Sequence, residues 1–200
     1  MENILDTKKL TFTIMMGALG SALFLVSYTI GPIVPGIIAL DLSLLAVFIA
    51  GIYAGPKSGF ATGLIAGIIP GIMFGPLGTG GALGLIALPL GKSLTGLTVG
   101  LLAIILQGKG NRVHKSILVI PITLLAYIPE GIFTYAYFTV LLPLFLNSAP
   151  LASAIVNTTM IKAIAEVIIM GIIIAVLLYN KAVNNFIGSY FYKTRLQKIK

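Results

Sequence analysis

The sequence contains no cysteine and a single histidine, His114. Without cysteine, the 200-residue chain can form neither a disulfide scaffold nor a thiolate metal site, and it has no cysteine nucleophile. One histidine is too few for a multi-histidine metal site or for the His-Glu-x-x-His motif of a metalloprotease. These absences remove several common classes of enzyme and lead to the prediction of no catalytic residue, no metal and no cofactor.

Charged residues are also scarce, at 9% of the chain against about 25% in an average soluble domain. Five acidic and thirteen basic residues cannot cover the surface of a soluble globule of this size. Hydrophobic residues make up 58% of the sequence, which excludes a disordered chain because disorder requires low hydrophobicity. The composition therefore predicts a membrane protein, and no nucleic-acid partner is expected despite the net charge of +8.

Six continuously apolar runs are long enough, or nearly so, for the about 20 residues that a transmembrane helix needs. The runs do not alternate apolar and polar residues as the strands of a membrane barrel do. We therefore predict an all-α integral membrane protein, a compact bundle of six transmembrane helices over residues 1–181 with a basic tail over 182–200. The predicted spans are Leu10–Ile30, Ile37–Ala54, Phe60–Pro76, Ala82–Gln107, Ile117–Leu146 and Leu151–Asn180.

The basic residues between these spans predict the orientation of the chain in a prokaryotic plasma membrane. With the N-terminus inside, three predicted outer loops carry no charge, and both termini are cytoplasmic as the positive-inside rule requires. The inner segments then hold Lys8, Lys9, Lys57, Lys109, Arg112, Lys115, Lys181, Lys193, Arg195, Lys198 and Lys200. The tail is expected to set orientation, with anionic lipid or a partner protein as the alternative role.

Small residues recur at helical spacing in two of the predicted spans. In the third span a glycine occupies every fourth position, which predicts one smooth face against which another helix packs. The first span carries Gly17, Ala18, Ser21 and Ala22, two overlapping pairs four residues apart. This stripe is expected either to pack inside the bundle or to dock an outside partner.

Five charged residues fall at or within the predicted spans, where charge is costly and often functional. They are Asp41, Lys92, Glu130, Lys162 and Glu166. Asp41 is expected either to cap the second helix or to bind a ligand, and Lys162 and Glu166 are expected either to pair, four residues apart, or to serve a site. Lys162 would lie roughly 16 Å below the outer surface.

Other polar and aromatic residues lie on the outer halves of the last two spans, including Tyr135, Tyr137, Asn147 and Asn157. The tyrosines are expected either to anchor the helices at the membrane interface or to line a pocket. Together, the fourth, fifth and sixth spans predict an outward-opening pocket for a small, flat, partly polar ligand. The candidate substrate-binding residues are Asp41, Lys92, Glu130, Tyr135, Tyr137, Asn147, Asn157 and Lys162.

Several motifs occur in a specific order along the chain: Ala18-x-x-x-Ala22, Ala39-Leu-Asp-Leu-Ser43 with Ala50-Gly-Ile-Tyr-Ala-Gly-Pro56, Asn157-Thr-Thr-Met-Ile-Lys162, and Leu177-Leu-Tyr-Asn-Lys181. In this order they resemble the substrate-binding membrane subunit, or S component, of energy-coupling factor (ECF) vitamin transporters. The resemblance implies a six-helix subunit that captures a vitamin outside, associates with a coupling subunit and two ATPases, reorients in the membrane and releases the solute inside. It also implies that Ala18 and Ala22 contact the coupling subunit.

Within that family, Gly78-Thr-Gly-Gly81 and the region of Asn157 and Lys162 are most similar to the riboflavin branch. This adds Thr79 to the candidate substrate-binding residues. The branch's glutamate and asparagine early in the fourth helix are replaced here by the apolar stretch Gly84–Leu88. The resemblance therefore implies uptake of a vitamin or related heterocycle, with riboflavin as the first candidate.

Two alternatives to a binding subunit remain open at the level of sequence. A self-sufficient secondary transporter would use Glu130 or Glu166 as a proton relay, although no inverted repeat is evident. An assembly or scaffold protein would bind no ligand at all. The expected partners under the first interpretation are the vitamin-like solute, membrane lipid, the coupling subunit and the ATPases.

Overall fold

The computed structural model describes residues 2–30, 41–78, 80–106, 112–146 and 149–187. Helices account for almost all of these residues, and no strand occurs among them. The helices are α1 (Glu2–Ile30), α2 (Ser43–Ala54), α3 (Pro56–Phe74), α4 (Gly81–Leu106), α5 (Arg112–Ala136), a π-helical turn (Tyr137–Leu141), α6 (Leu142–Leu146) and α7 (Ala149–Tyr179). The all-α prediction is confirmed for the described part of the chain.

Within the residues that the structure describes, five stretches are long and apolar enough to cross a membrane, which indicates a multi-pass membrane protein. They are Thr7–Ile30, Pro56–Phe74, Gly81–Ile104, Ser116–Leu144 and Val156–Tyr179. The second predicted span, Ile37–Ala54, differs from these. Its described helix is only Ser43–Ala54, because Asp41 and Leu42 are not helical and residues 37–40 lie outside the described residues.

A single glycine joins α2 to α3. Gly55 has a φ of 96°, a left-handed conformation that a side chain disfavours, and Pro56 follows as the first residue of α3. The Gly55 amide donates to Gly51 O at 3.1 Å, and Gly55 O accepts from the Gly59 amide at 3.0 Å. The third helix therefore begins four residues before the predicted Phe60.

The glycine face of α3 packs directly on the backbone of α4. A Cβ atom on Gly59 would collide with Gly96 O, one on Gly63 with the backbone of Lys92, and one on Gly67 with Pro89. The predicted close approach along this face is thus confirmed. This contact also fixes the position of Lys92 along the bundle axis, because the α4 backbone at this residue lies against Gly63 of α3.

The small residues of α1 divide between two faces. Gly17 lies against Ile65 of α3, and Ser21 Oγ donates to Ile65 O at 3.2 Å. Ala18 and Ala22, one position further along, are exposed on the outside of the described bundle. Internal packing therefore uses one of the two overlapping pairs, and the other pair is left uncovered.

The long fifth span changes its helical geometry near its end. Pro121 and Pro129 lie inside α5, and the π-helical turn follows before α6. Inserted π turns are frequent at functional sites because they redirect side chains within a helix. Here the turn begins at Tyr137, whose side chain is buried.

The main apolar core lies between α2, α5 and α7 and includes Phe48, Val119, Val167 and Met170. At the far end of the bundle, residues 181–187 form a further helical segment. Tyr53 Oη donates to Asn184 Oδ1 at 2.7 Å, which joins this segment to α2. The remainder of the predicted tail, residues 188–200, lies outside the described residues.

Candidate functional site

A cavity of about 440 Å³ lies within one half of the bundle. Its walls come from the C-terminal halves of α1 and α5, the end of α3, and the N-terminal halves of α4 and α7. Lys8, Lys57 and Lys181 are in or next to the opposite ends of α1, α3 and α7. The cavity volume is in the usual range of small-molecule sites, about 300–1,000 Å³.

The floor of the cavity holds a buried ion pair between Lys92 of α4 and Asp41. Lys92, which is 3% exposed, donates to Asp41 Oδ2 and, at 2.7 Å, to Ser43 Oγ. Asp41 Oδ1 accepts from the Ser43 amide at 3.0 Å and from Ser43 Oγ at 2.5 Å. Asp41 thus accepts a hydrogen bond from the first amide of α2 and also lines the cavity, and its expected role in binding a ligand stays a prediction.

Glu166 of α7 extends this network to a second lysine. Its Oε1 accepts a hydrogen bond from the Asp41 backbone amide at 2.7 Å and lies 3.5 Å from Lys162 Nζ. The expected pairing of Lys162 with Glu166 is confirmed, and both residues line the cavity, where their role in a site stays a prediction. The network joins α4, α7 and the residues that precede α2.

Glu130 of α5 is the third carboxylate in the cavity, and its surroundings differ from those of the other two. Thr95 Oγ1 donates to Glu130 Oε2. Among the side chains that the structure describes, no lysine or arginine lies within ion-pair distance of Glu130. Both other carboxylates have a lysine within ion-pair distance, so Glu130 is the one acid of the three that lacks such a partner among the described residues.

One aromatic wall is formed by α1 and the end of α3. The rings of Phe24 and Tyr28 are stacked with centroids 5.7 Å apart, and Phe74 meets both rings edge-on at 5.9 and 6.0 Å. Phe24 and Tyr28 are four residues apart, so they lie on one face of α1. This face turns towards the cavity.

A second aromatic wall comes from α5 and the π-helical turn, with Tyr127, Phe133, Tyr137 and Phe138 in the cavity lining. The rings of Tyr137 and Phe138 meet edge-on with centroids 5.3 Å apart. Tyr137 Oη donates a long hydrogen bond of 3.5 Å to Gly80 O, just before α4. A ligand in this space would meet aromatic rings from both walls and the charged groups that line the same cavity.

The cavity brings together five of the predicted site residues, and these are Asp41, Lys92, Glu130, Tyr137 and Lys162. Tyr135 and Asn157 do not line it. Tyr135 is 53% exposed because residues two apart on a helix point in different directions, and Tyr137 takes the inward position. Asn157 is likewise exposed on α7. Thr79 and Asn147 lie outside the described residues.

Sequence reasoning missed the contribution of α1 and α3, because it restricted the pocket to the last three spans. The spacing of Phe24 and Tyr28 was a usable signal, since both lie on one helical face. Tyr127 and Phe133 were also identifiable, as they lie three residues before and after Glu130. No local pattern indicated Phe74.

Metal binding has no evident centre in the described ranges, in which no group of three or more histidine, aspartate or glutamate residues is placed to hold an ion. The residues that line the cavity can form ion pairs, hydrogen bonds and ring contacts with a bound molecule. No protein-family model, curated protein or solved structure matches the chain.

Proposed function

We propose that this protein is the substrate-capture membrane subunit of an ECF-type ATP-driven importer, binding a vitamin or related small heterocycle. The observation that carries the proposal is the cavity, which is lined by aromatic rings together with buried and half-buried charged groups. Such a combination is typical of a small-molecule site, because the rings supply contact area and the charges supply specificity. The motif order along the chain adds the ECF class, with riboflavin as the first candidate.

The proposed topology has six spans with both termini in the cytoplasm of a prokaryotic cell. The second span comprises α2 and the residues just before it. Because the cavity lies in the half of the bundle remote from Lys8, Lys57 and Lys181, the positive-inside rule directs it outwards. This direction suits a subunit that captures a scarce solute from outside.

Ala18 and Ala22 are the proposed docking residues for the coupling subunit. Their exposure on α1 supports this role, since small side chains allow the backbone of a partner helix to approach closely. Nucleotide hydrolysis would belong to the two partner ATPases.

Native mass spectrometry of the purified protein, released gently from its detergent, tests the proposal most directly. We expect a co-purified small molecule, or one acquired after incubation with a panel of vitamins. A folded protein that stays empty in both experiments would contradict the proposed capture function. Riboflavin in the bound fraction would support the first candidate, and another vitamin would replace it within the same function.

A second candidate is a proton-coupled secondary transporter of a small organic solute. The observation that favours it is the presence of Glu130 and Glu166 in one cavity, since intramembrane carboxylates serve as proton relays in transporters. This candidate shares the binding site and differs in the source of energy, and a transport experiment in the Discussion separates the two.

A further inference from the structure

We infer that the solute is a flat ring compound with a positively charged nitrogen group, and that Glu130 is the residue that selects this charge. The inference rests on the proposed function, because it names the class of solute for the same cavity. It replaces riboflavin, which is uncharged at neutral pH, by a cationic heterocycle as the first candidate. It follows from a charge count, from the surroundings of Glu130 and from the position of the nearby rings.

The charge count concerns the acidic and basic side chains that line the cavity. Two are lysines, Lys92 and Lys162, and three are carboxylic acids, Asp41, Glu130 and Glu166. Each lysine pairs with one acid, Lys92 with Asp41 and Lys162 with Glu166. A solute with one positive charge would balance the remaining carboxylate, whereas an anion would face three acids and two lysines that already have partners.

Glu130 offers such a group an acceptor oxygen that the described residues leave unfilled. Its Oε2 accepts the hydrogen bond from Thr95, while Oε1 has no hydrogen-bond donor among the described residues. The facing residue of α4 is Gly91, where a Cβ would be 3.3 Å from Glu130 Cγ and 3.6 Å from Oε1. The Glu130 side chain therefore packs against α4 where Gly91 has no side chain, and both residues line the cavity. Glu130 is half-buried, and an added positive charge or donor stabilises a carboxylate in such surroundings, which the solute would bring.

Aromatic rings flank Glu130 on the same helical face. Tyr127 and Phe133 lie three residues before and after it, and all three line the cavity. Phe133 also reaches the Gly91 position, where its Cδ1 atom would be 3.7 Å from an added Cβ. A cation bound at Glu130 would therefore lie beside aromatic rings, whose faces attract positive charge. An acid between two rings is an arrangement suited to a cationic nitrogen.

The test uses three probes that share one ring and differ in charge: 4-aminoquinoline as the cation, quinoline as the neutral form and quinoline-4-carboxylate as the anion. Binding is measured at neutral pH on the full-length protein in lipid nanodiscs, with empty nanodiscs to subtract partitioning into lipid. We expect the cation to bind about tenfold more tightly than either other probe.

Two variants assign that preference to Glu130. Glu130→Gln removes the charge and should bring the three affinities to within about threefold of one another. Asp6→Asn is the control, because it removes one negative charge as Glu130→Gln does. Asp6 lies near the start of α1, whereas the cavity is lined by the other half of that helix, so this variant should still prefer the cation. If Glu130→Gln fails to fold, Phe133→Leu removes the neighbouring ring and should reduce the preference several-fold.

The results separate this inference from the proposed function. Tightest binding of the anion, or a cation preference that Glu130→Gln leaves intact, would overturn the inference and leave the capture function standing. If no probe binds but a solute co-purifies, a neutral or anionic solute overturns the inference and a cationic one supports it. If no probe binds and the protein stays empty with the vitamin panel, the proposed function itself fails.

Discussion

The backbone amide of Asp41 donates a hydrogen bond to Oε1 of Glu166, a residue 125 positions later in the chain, over 2.7 Å. This bond connects the residues before α2 to the middle of α7. Since Asp41 also binds Lys92 of α4, one residue holds three parts of the bundle together at the base of the cavity. Its position there makes the site and the fold depend on the same contacts.

Removing one member of the Asp41–Lys92 pair should be far more harmful than removing both. Lys92→Met leaves Asp41 as a buried acid without its cation, and we expect a loss of about 3–5 kcal/mol in the free energy of unfolding. The double variant Asp41→Asn with Lys92→Met should recover most of that loss. Denaturant unfolding in a fixed detergent measures both, and a double variant as unstable as the sum of the single variants would contradict the prediction.

Substitutions of Glu166 should distinguish its hydrogen bond from its charge. Glu166→Gln keeps an Oε1 acceptor for the Asp41 amide, whereas Glu166→Ala leaves that amide without its partner. We expect the alanine variant to be less stable by about 1–3 kcal/mol than the glutamine variant, because a buried unpaired donor is costly. Equal unfolding midpoints for the two variants would show that the bond contributes little.

The contact between α3 and α4 should not tolerate even one methyl group. At Gly96 an added Cβ meets the backbone oxygen of Gly59, which cannot move independently of its helix. Gly96→Ala should therefore cost about 1–3 kcal/mol of stability. Gly131→Ala is the matched control, because its Cβ would meet only the Tyr127 ring at 3.3 Å. Thermal unfolding of the two variants in parallel measures the difference between their stabilities. Equal stabilities would contradict the prediction and would show that α3 and α4 can separate slightly at no cost.

A bulky residue on the exposed face of α1 should block assembly without affecting solute binding. We expect Ala18→Trp and Ala22→Trp each to prevent co-purification with the coupling subunit, since a large side chain keeps a partner helix away. Ile172→Trp, on an exposed face of α7, controls for the added bulk and should assemble normally. Loss of solute binding in a folded Ala18→Trp protein would refute this separation of roles.

The source of energy should identify which of the two proposed transport mechanisms applies. For the ECF-type subunit, uptake by cells that also produce the partner subunits should persist when the proton gradient is dissipated and ATP is maintained. It should cease when the partner ATPases are inactivated. The opposite pattern, in which uptake follows the gradient and ignores the ATPases, would establish the secondary transporter instead.

Local patterns in the sequence were sufficient for several parts of the fold. Continuous apolar runs indicate membrane helices because a chain in lipid must satisfy its backbone hydrogen bonds within each segment. The four-residue spacing of the α3 glycines predicts the close contact with another helix, since that spacing places them on one face. The pair of Lys162 and Glu166 was foreseeable for the same reason.

Sequence patterns could not predict which residues of different helices would contact one another. The charged residues at Asp41, Lys92 and Glu130 were identifiable as candidates, but their separation along the chain left open which of them would meet. Similarly, Tyr135 and Tyr137 were equivalent candidates until the rotation of α5 placed only Tyr137 inside.

The sequence by itself determined the helical class, the lengths of the apolar runs, the glycine face of α3 and the charged residues that fall at or within those runs. Each of these features depends on neighbours within one helical turn or one span. Only the tertiary structure decided that Asp41 pairs with Lys92, that Glu130 accepts a hydrogen bond from Thr95 and has no lysine partner among the described residues, and that α1 and α3 complete the aromatic walls. Those relationships depend on the rotation and relative height of separate helices. They are set by packing over the whole bundle, which no short stretch of sequence encodes.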